Sequence, residues 1–215
     1  MKKNGAYFFS IVDREALALG IWDPYCYREK NQSQTLGDLA LIKFLRATTL
    51  PRHIYKFAPL EYRHIGRGHV PAFTLEASHG GLQTSCPGVG EGVLLFGTMR
   101  AYLGNVIVTP HADWIAERSP FFFAVKSEFL EIVPKDGLVY FWWAYLQSQS
   151  FLHNLPLGTG GTRPRLHASA LTQIPVEVPN RAVREKVHTH LERFAASLWS
   201  QYVATQRLLG ETIGL

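Results

Sequence analysis

The chain has 215 residues, 47% of them hydrophobic and 13% aromatic, enough for one domain with an appendage or two small domains and too apolar for disorder. Charged residues make up 18%, and 22 Lys and Arg against 17 Asp and Glu give a formal +5, compatible with nucleic acid or another anionic surface but not diagnostic of either. Two cysteines, Cys26 and Cys86, cannot build a disulfide framework, so a reducing, cytoplasmic setting is expected.

Asp13, Arg14 and Glu15 cut the apolar run that begins at Ala6, leaving it at the lower limit for a secretion signal. No stretch approaches the roughly 20 apolar residues of a membrane span. After Ile21-Trp22-Asp23-Pro24-Tyr25-Cys26-Tyr27 and a polar run, Thr35 and Asp38 show the Thr-x-x-Asp spacing of a helix start. From 52 to 134, short apolar runs alternate with Gly, Pro and His. Strands are expected at 93–96, 106–108, 121–125 and 130–133, and this spacing predicts a β-rich, curled or barrel-like body.

Apolar residues then recur near helical period, predicting a buried helix over 138–153. A glycine-rich basic loop follows, Gly158-Thr159-Gly160-Gly161-Thr162-Arg163-Pro164-Arg165, and then a proline-bounded strand over 174–179. The clearest element is last. A helix is predicted over 182–212, free of Pro and with Gly210 its first glycine, carrying a stripe of Val183, Val187, Leu191, Phe194, Leu198, Tyr202 and Leu209. Such a helix is roughly 45 Å long. A stripe of that length calls for a partner helix, so a coiled coil is expected. The fold class is α+β.

Residues 35–70 hold Lys43, Arg46, Arg52, Lys56, Arg63 and Arg67 against Asp38 and Glu61, with His53, His64 and His69 interleaved. This is either a DNA-facing surface, where cations fix position on phosphates and Arg reads guanine edges, or an ordinary solvated face. The loop at 158–165 lacks the Gly-Lys-Ser/Thr of a P-loop, yet Thr162, Arg163 and Arg165 could grip a DNA phosphate; the plainer alternative is a connector. Asp23-Pro24-Tyr25 is similar to the Asp-Pro-Pro-Tyr motif of amino-methyltransferases but lacks its second proline, and no glycine-rich cofactor loop accompanies it. No catalytic residue, cofactor site or metal site is assigned, since nucleophile motifs and metal-ligand spacings are missing.

Several pieces, in order, resemble the specificity subunits of type I restriction–modification systems. Trp22-Asp23-Pro24-Tyr25-Cys26-Tyr27 looks like the family's domain-opening motif, with Ile21 where a basic residue is usual. Thr35-Leu36-Gly37-Asp38-Leu39 resembles the x-L-G-D-L/I start of its recognition domain. Gly90-Glu91-Gly92-Val93 and its continuation to Asn105 resemble G-D-[IV]-L-x-x-x-[IV/M]-R-x-x-x-G-[KN], with one residue more after the first glycine. The stretches 141–152, 158–166 and 171–179 are similar to Y-L-x-x-x-L-x-S-x-x-F, G-[ST]-x-[RQ]-x-x-L and L-x-x-[IL]-x-[IV]-x-[LV]-P. The family's long helix then follows, with Arg184-Glu185 where Glu-Gln is usual.

The resemblance implies a target-recognition domain over 1–179 and a conserved-region helix over 180–215. It places Arg100 and Tyr102 in a DNA-facing loop. Since a full subunit has two such domains and two antiparallel helices, it further implies a half-subunit that pairs with a second copy through its helix. Partners would be double-stranded DNA, a modification (methyltransferase) subunit and a restriction subunit, with no membrane. The implied function is sequence-specific recognition of a bipartite DNA target, without chemistry of its own. A small DNA methyltransferase or nuclease with an unrecognised site, and a protein–protein adaptor working through the helix, stay open as alternatives.

Overall fold

A computed structural model describes residues 34–46, 56–65, 87–115, 121–125, 128–156, 158–159 and 162–213. The first element is the short helix α1 (Leu36–Leu39), and the expected start signal is in place: the Thr35 amide donates to the Asp38 carboxylate at 2.8 Å. Seven strands follow: β1 (Ala40–Phe44), β2 (Lys56–Leu60), β3 (Gly88–Val89), β4 (Leu94–Gly97), β5 (Val106–Val108), β6 (Phe121–Val125) and β7 (Phe129–Pro134). The helices α2 (Val139–Tyr145), α3 (Gln149–Leu152), α4 (Ala168–Thr172) and α5 (Arg181–Ile213) complete the chain.

The strands build two sheets, one ordered β1-β7-β4-β5 and antiparallel throughout, the other ordered β2-β6-β3. Within the second sheet β2 runs parallel to β6 and β3 antiparallel to it. Among the described residues both sheets are open, so the barrel-like expectation is corrected to two open sheets. Spacing of short strands is common to barrels and paired sheets, and closure depends on pairings that local sequence does not carry.

Within the four-stranded sheet β4 and β5 are buried throughout and β7 over most of its length, which is why they read as apolar runs. The edge strand β1 leaves Leu41, Lys43 and Phe44 exposed. Alternate residues serve different cores. Leu94, Phe96, Val106, Val108, Leu130 and Ile132 face one cluster, shared with α2, α3 and α4. Leu95, Ile107 and Phe129 face another, shared with Leu60, Phe123 and Val125 of the second sheet.

The single helix expected over 138–153 is two helices. The Ser148 side chain accepts from the Phe151 amide at 3.3 Å and caps α3, so residues 146–148 break the helix that the apolar period had joined. The strand expected over 174–179 is extended but pairs only through an isolated Thr35–Pro175 bridge. Ile174 and Val176 are buried while Pro175 and Glu177 are exposed, which is strand periodicity; two prolines without amide hydrogens leave little ladder to form.

The long helix matches its prediction to within a residue at each end. It starts where Asn180 accepts from the Val183 amide through its side chain at 3.1 Å and from the Arg184 amide through its carbonyl at 3.2 Å. Its middle lies against the body: Val187, Leu191 and Ala195 join the first cluster, and Trp199, Tyr202 and Val203 join the second. No helix among the described residues is long and apolar enough to cross a membrane.

Candidate nucleic-acid interface

The register of the four-stranded sheet brings separate segments to one of its ends. Gly97 pairs with Phe129 and Phe44 pairs with Leu130, so β4 leaves the sheet, β7 enters it and β1 leaves it at the same end. One residue beyond the pairing, the Thr98 amide donates to the Glu128 carbonyl at 2.9 Å. Arg46, two residues past Phe44, departs from that end and is exposed.

The β4–β5 connection carries Arg100 and Tyr102. It is a tight turn over Ala101–Leu103 with Ala101 buried as its anchor, and Tyr102 and Leu103 are 58% and 57% exposed. Left-handed residues bound the turn on both sides, Arg100 at φ 51° and Gly104 at φ 64°. Glycine adopts that conformation freely; for an arginine it is strained. Among the described residues Arg100 is the one non-glycine with positive φ.

The basic loop at 158–166 lies against this turn. Isolated bridges join Met99 to Arg165 and Thr159 to Arg165. The Arg100 amide donates to the Pro164 carbonyl at 2.8 Å, and the Leu166 amide donates to the Thr98 carbonyl at 3.0 Å. The Arg100 guanidinium reaches the Thr162 carbonyl at 3.4 Å. Thr162, Arg163 and Arg165 are all exposed. Two loops some sixty positions apart in sequence are thus one surface, held by main-chain bonds.

Tyr62, which precedes Arg63, reaches the same place. The Tyr62 hydroxyl donates to the Glu128 carbonyl and accepts from the Met99 amide at 3.3 Å. This approach requires Gly97, because a β-carbon there would lie 2.5 Å from the Tyr62 ring. Burial raises the Tyr62 hydroxyl above its ordinary pKa, chiefly by desolvation, so it stays a donor.

The cations of this face are not equivalent. The Arg165 Nε donates to the Glu128 carboxylate at 2.6 Å, and that bond holds Glu128 below the usual carboxylate range. Arg63 lies 3.3 Å from the Glu61 carboxylate. Arg46, Arg100 and Arg163 make no ion pair among the described residues. Guanidinium groups without a carboxylate partner, near an exposed aromatic such as Tyr102, are what a phosphate backbone and base edges can engage.

Other expected residues lie elsewhere. Lys43 sits in mid-strand, 3.4 Å from Glu131, its register partner, in a cleft between β1 and the stretch from β3 to Gly90 that Arg46 also lines. His64, one of the interleaved histidines, is buried at 3% exposure, and its Nδ1 accepts from the Glu61 amide. Lys56 opens β2 in register with Phe121. Arg52, Arg67, His53, His69, both cysteines and Asp23-Pro24-Tyr25 lie outside the described residues. Among the described residues no three His, Cys, Asp or Glu side chains are placed to hold a metal.

Of the helix stripe, Val187, Leu191, Leu198 and Tyr202 are partly buried, whereas Val183, Phe194 and Leu209 are 45%, 48% and 41% exposed. Leu208, which the stripe omitted, is 62% exposed. Residues missed by the motif reading are Glu128, Tyr62 and Leu103. Glu128 precedes a strand in a stretch without motif, and nothing in its neighbours marks it.

No family profile matches the chain, and no curated protein is similar to it. Solved structures do match. One is a chain from a study of complex assembly and conformational transition of the type I R-M system, with 13% identity and a TM-score of 0.42, covering 84% of this chain and 42% of that one. Another is the HsdS subunit from Thermoanaerobacter tengcongensis, with 12% identity and a TM-score of 0.40, covering 79% of this chain and 39% of that one. The chain therefore spans about two fifths of the length of the solved chains it matches.

Proposed function

We propose that this chain is a sequence-specific DNA-recognition subunit of a type I-like restriction–modification system, with no chemistry of its own. It would direct methyltransferase and endonuclease subunits to a bipartite duplex target. The observation that carries the reading is the junction of Met99 and Arg165. Two segments that resemble separate motifs of the specificity subunits fold into one exposed surface, with Arg100 and Arg163 free of carboxylate partners and Tyr102 exposed beside them, and exposed Arg46 leaves the sheet at the same end. The β4–β5 turn hangs from the buried centre of the sheet and the 158–166 loop is bonded to that turn, a platform of the kind that positions binding loops.

In this reading Arg46, Arg100 and Arg163 are phosphate or base contacts, and Tyr102 supplies an aromatic surface for the groove. Arg52, Lys56 and Arg67 are proposed to add to the same cationic face, Thr162 to assist with its hydroxyl, and Arg63 and Arg165 to act from within their ion pairs. A second copy would pair through the exposed part of the long helix, so that two identical recognition surfaces face an interrupted palindrome.

The test is binding of the full chain to a random-sequence duplex pool, followed by enrichment. Affinity should fall steeply with salt, and the slope should drop by about one phosphate equivalent for each of Arg100→Ala and Arg163→Ala. Enrichment should yield one interrupted site. Transfer of a labelled methyl group by the chain alone would make it a methyltransferase instead, and failure to bind any duplex would sink the DNA reading.

A further inference from the structure

A face meant for a polyanion should not display a carboxylate without use, yet Glu128 stands at its centre. Its side chain is 46% exposed, and its Oε2 lies 2.6 Å from the Arg165 Nε. The fold does not need this side chain. The main chain of Glu128 does the structural work, its carbonyl accepting from the Thr98 amide at 2.9 Å, from the Thr98 hydroxyl at 3.1 Å and from the Tyr62 hydroxyl. An exposed pair such as Glu128–Arg165 contributes little to stability. The carboxylate would also repel any phosphate that approached Arg165.

Building on the DNA-recognition reading, we infer that Glu128 is a specificity determinant: its carboxylate withholds Arg165 from phosphate and accepts a hydrogen bond from a base-edge amino group. In the major groove the donor matched to a carboxylate is the N4 amino group of cytosine. Arg165 engages one side of the carboxylate, and the remaining lone pairs face solvent. Off target, the lone pairs that Arg165 does not engage would lose water on binding without gaining a donor, which opposes binding; on target, the amino group satisfies them. Arg46, Arg100 and Arg163 supply the sequence-independent attraction, and Glu128 decides where it is opposed.

The experiment compares the full chain with its Glu128→Gln and Arg165→Ala variants on a random-sequence duplex pool and on duplexes enriched from it by the wild type. Glu128→Gln keeps every main-chain bond of the residue, and a thermal melt checks its folding. The expected result is tighter binding of Glu128→Gln to random duplex by about fivefold, with a salt slope steeper by about one phosphate as Arg165 becomes available. Its preference for enriched over random duplex should fall by about tenfold or more. Arg165→Ala should weaken random-duplex binding, opposite in direction to Glu128→Gln, because it leaves the Glu128 carboxylate un-neutralised; no weakening would count against the assignment. Equal loss of affinity by Glu128→Gln on both duplexes, or an unchanged salt slope, would overturn the assignment while leaving DNA recognition standing. A wild-type chain that binds neither duplex would overturn both.

Discussion

Arg100 concentrates the residue-scale argument. A left-handed arginine stores about 1 kcal/mol of backbone strain, and at Arg100 the neighbouring bonds to Pro164 and Thr162 hold it there. Glycine at this position relieves the strain but removes the cation. Arg100→Gly is therefore expected to raise unfolding stability by about 0.5 kcal/mol while lowering the salt slope of DNA binding by about one phosphate. Urea unfolding and a salt titration read the two effects separately. A loss of more than about 1 kcal/mol would show that the side-chain bond to Thr162 outweighs the strain. The position of Arg100 was legible because a motif surrounds it and a glycine follows at Gly104. Glu128 was not legible, since its meaning comes from Thr98, Tyr62 and Arg165, residues 30, 66 and 37 positions away. The same distance effect misplaced Lys43, which reads as a free cation until strand register sets Glu131 opposite it.

At the scale of elements, the join between α2 and α5 fixes how the long helix leaves the body. Asp136 accepts from the Leu138 amide at 3.1 Å and the Trp142 indole at 3.0 Å, and it pairs with Arg184, both side chains being about seven-eighths covered. One turn further along, His188 Nδ1 accepts from the Tyr140 amide at 3.1 Å. Burial, and behind it the charge of Glu192, raises the Tyr140 hydroxyl far above its ordinary range, so that hydroxyl stays protonated in the fold. Removing one partner of a covered pair leaves the other charge uncompensated. Asp136→Asn is thus expected to cost about 3 kcal/mol in chemical denaturation, and a double change of Asp136 and Arg184 to uncharged residues should cost less than the single one. Equal costs would mean that the charge pairing of Asp136 with Arg184 does not hold the join. Sequence periodicity located α5 closely because a 33-residue helix repeats its signal many times. It failed at 138–153, where the break turns on the single side chain of Ser148, and at 174–179, where alternation persists without strand partners.

For the whole molecule, the helix stripe serves two surfaces, and this decides how pairing with a second copy should be tested. Val187, Leu191, Ala195, Trp199, Tyr202 and Val203 pack on the chain's own clusters, and Trp199 is wholly buried. The single stripe seen in the sequence did not separate these from Val183, Phe194, Leu208 and Leu209, because angular position on a helix does not say which flank meets the body. Cutting the chain at Pro179 would remove Trp199 from the core, a loss of about 3–5 kcal/mol at that residue alone, and would report unfolding rather than dissociation. Cutting after Val203 spares the packed stretch, since residues 204–209 are exposed. Sedimentation is expected to give a dimer for the full chain. It should give a largely monomeric species for the Phe194→Lys variant, with an unchanged far-UV spectrum, and a concentration-dependent mixture for the chain ending at Val203, whose helical signal should fall only by the share of residues 204–213. A lysine at 194 buries a charge in any symmetric helix pair but costs nothing on a solvated face. A full chain that sediments as a monomer would leave Val183, Phe194, Leu208 and Leu209 for a different protein, and the bipartite target would then need its second half read by that partner.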